Sequence, residues 1–215
     1  EHGEVIVGDI LGQITGSLLG ADVAVTPVSS NTGAEALFGT VKRTRIGSPF
    51  VIAGMKEVGG RVVGYEANGG FLLGFAANGP AGTLPPLMTR DAVLPFVAHL
   101  VAETEGMSAL VASQPLRFTA ADRLQDVPME KTLALVAEFD TDLTKRAAFL
   151  AQFDGVGAGV DRTDGVRMTL VDGRIVHLRP SGNAPECRFY AEAGSVVAAQ
   201  AMLALGLKAL AKALK

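Results

Sequence analysis

The chain has 215 residues, 48% of them hydrophobic and 19% charged, with a formal net charge of −3. That length suffices for one large or two modest domains, and that charge gives no electrostatic footprint for nucleic acid or an anionic membrane surface. Cys187 is the single cysteine; it excludes an intrachain disulfide, fits a reducing, cytoplasmic compartment, and reads as a small core residue because no histidine neighbours it in sequence.

Residues 1–4 read as a turn and 5–7 as a strand end. No charged-then-apolar signal opens the chain and no unbroken apolar run reaches the roughly 18 residues of a membrane span, so no membrane partner is expected. Ile10, Leu11, Ile14 and Leu18 predict a helix over 8–19. A buried-type strand over 22–26 stops at Pro27. A short helix follows over 32–38, with Ser30, Asn31 or Thr32 able to cap it. A strand over 42–46 leads into a helix over 48–57, capped by Ser48 with Pro49 in its first turn. Strands over 61–64 and 71–75 flank a glycine-rich loop. This alternation predicts an α/β domain with a mixed, mainly parallel sheet, whose ligands bind at the C-terminal strand ends.

Residues 76–86 read as a Gly/Pro-rich loop. A helix is predicted over 89–105, with Asp91 in its first turn and Val93, Phe96, Val97, Leu100 and Val101 as its apolar stripe; 108–113 continues helically. His2 and His99 read as solvated or core-edge residues, not ligands. The aperiodic stretch 114–127 holds the domain boundary, giving domains over 1–118 and 119–215. The second is predicted to be a smaller α+β domain with an antiparallel sheet. Its 129–153 segment is helical with a break near 140–142. Strands over 166–171 and 174–179 flank the hairpin signal Asp172-Gly173, where a strict two-residue register sets Met168 opposite His177 unless a bulge or longer turn shifts it. A strand over 188–193 precedes a helix capped by Ser195, with Val196, Ala199, Leu203, Leu207, Leu210 and Leu214 as its apolar face. Asp161 and Asp164 lack a third acid and read as turn residues, so no metal site is expected.

The richest chemistry lies between Arg179 and Glu192. Arg179 and Arg188 bracket the turn Pro180-Ser181-Gly182-Asn183-Ala184-Pro185. Backbone N–H groups, a hydroxyl, an amide and two guanidinium forks around one hollow suit a phosphate dianion. The plain alternative is an ordinary turn with two solvated arginines. Lys42, Arg43 and Arg45 end a strand before a helix N-terminus, which suits an anion as readily as it suits a solvated edge.

These motifs resemble the α-D-phosphohexomutase superfamily, the phosphomannomutase and phosphoglucomutase group. The Arg179 segment is similar to its phosphate-binding loop, commonly R-P-S-G-T-E-P followed by an arginine, an aromatic strand and an acid. Arg179, Pro180, Ser181, Gly182, Pro185, Arg188, Tyr190 and Glu192 match; Asn183 and Ala184 stand where Thr and Glu are usual. The segment GYEANGG is similar to the sugar-reading loop Gly-Glu-Met-Ser-Gly-His: Glu66 matches, Asn68 stands for Ser and Gly70 for His. The resemblance implies that Glu66, Asn68 and Gly69 read sugar hydroxyls, that Arg179, Ser181, Gly182, Asn183 and Arg188 hold the non-reacting phosphate, and that Arg45 and Ser48 touch the substrate. It implies an isomerase that interconverts hexose 1- and 6-phosphates through a phosphoserine and a hexose 1,6-bisphosphate, with Mg2+ in the N-terminal half of the family's proteins.

The chain contains neither the phosphoserine loop nor the Asp-rich metal loop of that family, and it opens without methionine. The expectation is therefore a C-terminal half, with 1–8 as the tail of a preceding domain, no catalytic residue of its own, and missing N-terminal domains as partners. Phosphomannomutase is the first expectation. Phosphoglucomutase, phosphoglucosamine mutase and a non-catalytic phosphosugar-binding module remain open.

Overall fold

The computed structural model describes Gly3 and residues 5–102 and 106–214. The expectations for Glu1, His2 and Glu4, and for a helix reaching Glu105, fall outside the described residues. The chain divides into two compact units, Glu1–Pro115 and Leu116–Lys215.

The first unit runs α1 (Gly8–Leu18), β1 (Val23–Pro27), α2 (Ala34–Leu37), β2 (Thr40–Thr44), α3 (Ser48–Val58), β3 (Val62–Tyr65), β4 (Phe71–Leu73), β5 (Ala77–Gly79), β6 (Gly82–Leu84), β7 (Leu87–Asp91), α4 (Val93–Val101) and α5 (Met107–Ala112). Its five-stranded sheet has the order β2-β1-β3-β4-β7. The first three are parallel; β4 returns antiparallel to β3, and β7 antiparallel to β4. Alternate residues of the central strands feed two cores. Val25, Val62 and Leu72 pack with Val51 and Met55 of α3, while Ala24, Val63, Tyr65 and Phe71 form the other core. Each such burial contributes about 1.5–3 kcal/mol.

Several local expectations for this unit change. β2 begins two residues early, because Thr40 already pairs with Val23. Ser48 opens α3 without capping it; its hydroxyl is committed elsewhere. Residues 89–91 belong to β7, and the Asp91 carboxylate accepts from the amides of Val93 (2.7 Å) and Leu94 (3.1 Å), so α4 starts later than predicted. The predicted stripe of α4 faces outward: Val93, Phe96 and Leu100 are 66%, 57% and 83% exposed, and His99 is buried instead. The 76–86 loop contains the β5–β6 hairpin.

The second unit runs β8 (Phe118–Leu124), α6 (Met129–Thr141), α7 (Leu143–Leu150), a short 3-10 turn (Ala151–Phe153), β9 (Gly157–Asp161), β10 (Val166–Leu170), β11 (Ile175–Pro180), β12 (Cys187–Ala193) and α8 (Val196–Ala213). Its antiparallel sheet has the order β8-β12-β11-β10-β9; the two outer strands went unread in the sequence. The α6–α7 break falls at Asp142, whose carboxylate caps Thr144 and Lys145. The β10–β11 register is Met168 opposite Val176 and Arg167 opposite His177. Leu170 and Arg174 close a three-residue turn with Gly173 at φ 82°. This longer turn keeps apolar pairs together, correcting the two-residue register. Phe139, Phe149, Phe153 and Phe189 stack in the core, Phe139 and Phe149 at 4.6 Å. Cys187 lies buried among them, and burial pushes its thiol up to about 11.

Ser195 caps α8 through the Ala198 amide at 3.2 Å. The buried face of α8 is Ala199, Met202, Gly206 and Leu210, whereas Val196 is 51% exposed. By length and composition α8 could cross a membrane, which the search for unbroken apolar runs missed because lysines interrupt it. Here its buried face packs on β8 and β12.

Candidate functional site

The parallel strands of the first unit, and β7 running parallel to them across β4, all end at one edge of the sheet. Loops at such C-terminal ends are where α/β sheets bind ligands. Glu66 follows β3 directly and is 4% exposed. Ser48, at the start of α3, donates its hydroxyl to Glu66 Oε2 at 2.8 Å. The loop that follows is self-bonded: Glu66 N–H donates to Gly70 O (3.1 Å), Gly69 N–H to Glu66 O (3.0 Å), and Gly70 N–H to Asn68 Oδ1 (3.0 Å). Asn68 itself is exposed. Gly69 has φ 88°, a backbone state that other residues reach only at a cost. The N-terminus of α1 braces this loop from below, with Gly8 N–H donating to Ala67 O at 3.1 Å.

The structure reduces the basic cluster near this loop. Lys42 pairs with Glu57, and Arg43 binds Glu35 (2.7 Å) and the carbonyls of Ser30 and Asn31 (2.8 and 2.9 Å). Both cations are occupied in holding the fold. Arg45 stays exposed, its guanidinium 4.9 Å from the Phe50 ring centroid. Arg90, hidden in the predicted helix, was missed: a Cβ built on Gly70 would stand 2.8 Å from its Cδ, so the arginine stem lies over the loop.

In the second unit the turn between β11 and β12 carries the other set. Arg179 and Arg188 are direct cross-strand partners, and Arg188 also faces Arg123 on β8. One row across three strands thus holds three arginines on the sheet face opposite Cys187 and Phe189. The turn is built by Ser181 N–H donating to Glu186 O (2.9 Å) and Glu186 N–H to Ala184 O (2.8 Å). The Ser181 side chain is tucked inward, and Oγ sits 3.5 Å from the Asn183 amide, while Gly182 and Asn183 are exposed. Opposed like charges cost stability unless anions intervene. Asp164 Oδ2 lies 3.2 Å from Arg179 Nε, and Glu186 lies 3.0 Å from Arg123 and 3.3 Å from Arg188. The acid at the end of the motif, Glu192, is spent on Arg117 at 2.6 Å.

Asp164, read as a turn residue, is therefore an arginine partner. Its carbonyl oxygen accepts from His177 Nε2 at 2.5 Å, which fixes the proton on that nitrogen. His177 stacks on Tyr190 at 5.1 Å, and burial lowers its pKa to about 4. The alternation of His177 and Arg179 on β11 was the sequence signal available for this neighbourhood. Among the described residues there is no cluster of three or more His, Cys, Asp or Glu that could hold a metal ion.

Two family profiles match the chain. One is described as phosphoglucomutase/phosphomannomutase, alpha/beta/alpha domain III, over residues 5–118; the other as phosphoglucomutase/phosphomannomutase, C-terminal domain, over residues 135–204. A phosphomannomutase of Sinorhizobium fredii is 42% identical over 218 residues, covering 98% of this chain and 46% of that protein. A phosphomannomutase of Salmonella muenchen is 41% identical over 205 residues, covering 91% of this chain and 42% of that protein. The chain spans about half the length of these curated relatives. Among solved structures, a phosphoglucomutase/phosphomannomutase family protein from Burkholderia thailandensis superposes with a TM-score of 0.67 at 19% identity, over 99% of this chain and 42% of that one. An Aspergillus fumigatus N-acetylphosphoglucosamine mutase, in complex with GlcNAc-6P and magnesium, gives 0.65 at 15% identity, over 96% of this chain and 47% of that one.

Proposed function

The chain belongs to the phosphoglucomutase/phosphomannomutase family, and from that premise we propose that it supplies the sugar- and phosphate-holding part of a cytoplasmic hexose-phosphate mutase of phosphomannomutase type. Glu66 accepts from vicinal hydroxyls of the hexose, with Asn68 and Gly69 completing the loop and Ser48 fixing the carboxylate. Arg45 adds a cation at the same edge. Arg179, Ser181, Gly182, Asn183 and Arg188 hold the phosphate that is not reacting. The reaction interconverts a hexose 1-phosphate and a hexose 6-phosphate through a phosphoserine and a hexose 1,6-bisphosphate. The phosphoserine and Mg2+ belong to the remainder of the full-length protein.

The observation that carries this reading is the turn 180–186, which sets two cross-strand arginines beside the exposed residues Gly182 and Asn183. Phosphoryl transfer asks a protein chiefly for positioning and charge stabilisation, and both loops are built for those tasks. The test is a titration of the chain with mannose 1-phosphate, followed by amide NMR. Shifts at Gly69, Gly70, Gly182 and Asn183 are expected, and Glu66→Gln should weaken mannose 1-phosphate while sparing inorganic phosphate. Absence of shifts at both loops up to tens of millimolar refutes the assignment.

A further inference from the structure

The row of three arginines on the outer face of the second sheet holds one acid that is shared. Glu186 offers Oε1 to Arg123 Nε at 3.0 Å and Oε2 to Arg188 Nη2 at 3.3 Å. Its backbone is pinned, since its N–H donates to Ala184 O and its carbonyl accepts from Ser181. Only the carboxylate is free to lean toward one arginine or the other. Glu186 takes an Nη2 donor of Arg188 and offsets part of its charge, so it competes with a bound phosphate for that guanidinium. Arg123 is 50% exposed and sits on the edge strand β8, directly opposite Arg188. Its guanidinium reaches the 180–186 turn through this carboxylate.

We propose that Arg123 is a positioning residue for phosphate binding: it draws the Glu186 carboxylate off Arg188 and so sets how much of the Arg188 guanidinium a phosphate group can claim. The inference rests on the reading that Arg188 binds the phosphate. Without Arg123 the carboxylate has Arg188 as its remaining partner and acts as a built-in competitor. With glutamine at 186 the competitor loses its charge, and Arg123 no longer matters. The pair therefore tunes affinity from outside the ligand, and its effect shrinks as salt screens an exposed site.

The experiment titrates inorganic phosphate into the chain and reads the Gly182 and Asn183 amides by NMR at low ionic strength. Arg123→Ala should weaken phosphate about threefold to fivefold, the size expected of an exposed ion pair. Glu186→Gln should tighten it by a similar factor. The double variant should bind like Glu186→Gln alone, a rescue that damage to the edge strand could not produce. Equal weakness of Arg123→Ala and the double variant overturns the proposal in favour of direct contact or lost packing, and unchanged affinity in Arg123→Ala overturns it outright. If Arg188→Ala also binds phosphate like the wild type, the underlying assignment of the turn fails instead.

Discussion

Gly8→Ala tests whether the loop over 66–70 owes its shape to the helix beside it. A Cβ at this position would stand 2.2 Å from Gly69 N and 2.6 Å from the carbonyl oxygens of Ala67 and Glu66. Ordinary contact is about 3.5 Å, so the atoms must part by more than about 1 Å. The obstacles are all backbone, and none can rotate aside as a side chain would. Overpacking of this kind costs about 1–3 kcal/mol. Separating α1 from the loop also strains the Gly8 N–H to Ala67 O bond of 3.1 Å, worth about 1 kcal/mol. Alanine returns at most about 1 kcal/mol of helix propensity. The net is about 2 kcal/mol, or roughly 5–10 °C in the melting of a unit of this size. Differential scanning calorimetry measures the melt, and the Gly69 and Gly70 amide resonances report the loop. A melting temperature within about 1 °C of wild type, with both amides unmoved, would refute the reasoning.

Arg179→Ala removes a fork whose side chain is 11% exposed, so phosphate affinity at the Gly182 and Asn183 amides should fall by at least about tenfold, from a loss of about 1.5–3 kcal/mol; unchanged affinity contradicts the assignment. His177 should make the chain acid-sensitive. Its folded pKa lies near 4, below the ordinary 6.5, because burial disfavours the charged ring. Above pH 6.5 the ring is neutral in both states and costs nothing; as the pH falls toward 4 the unfolded chain takes up the proton first, and about 2 kcal/mol should be lost by pH 5. Urea titrations at pH 7.5 and 5 should show that loss shrink in His177→Phe, and equal losses in both proteins would sink the account. Cys187, buried and with its thiol pushed up to about 11, should react with a thiol reagent only as fast as the second unit opens; immediate labelling of the folded chain would contradict that. The chain alone, given mannose 1-phosphate, a hexose bisphosphate and Mg2+, should show no turnover above a protein-free blank, and turnover would mean that a catalytic group lies within these residues.

The central strands of the first unit were legible because buried parallel strands read as near-continuous apolar runs, as Val23 to Val25 and Val62 to Tyr65 do. The missed strands share the opposite property. Phe118–Leu124 and Gly157–Asp161 lie at sheet edges, with one face solvated, so their apolar pattern is diluted and their glycines and charges read as loop. The helix over 89–105 failed for another reason. Its 3.6-residue stripe is real, but Val93, Phe96 and Leu100 face outward in this chain, and periodicity reports a face without saying what covers it.

The local geometry of the candidate site was legible where one residue type needs one backbone shape. Glu66 among glycines and Arg179 before Pro-Ser-Gly are readable because tight turns demand those neighbours. What escaped was every pairing that depends on tertiary approach. Arg43 and Arg45 look alike along the strand, yet Arg43 is spent on Glu35 and two carbonyls while Arg45 stays exposed. Asp164 looks like a turn residue, yet it lies 3.2 Å from Arg179 across the sheet face. Charge alone therefore overcounts a binding site. An arginine can grip a ligand only to the extent that its own acids leave it free, and here Arg179 lies beside Asp164 and Arg188 beside Glu186.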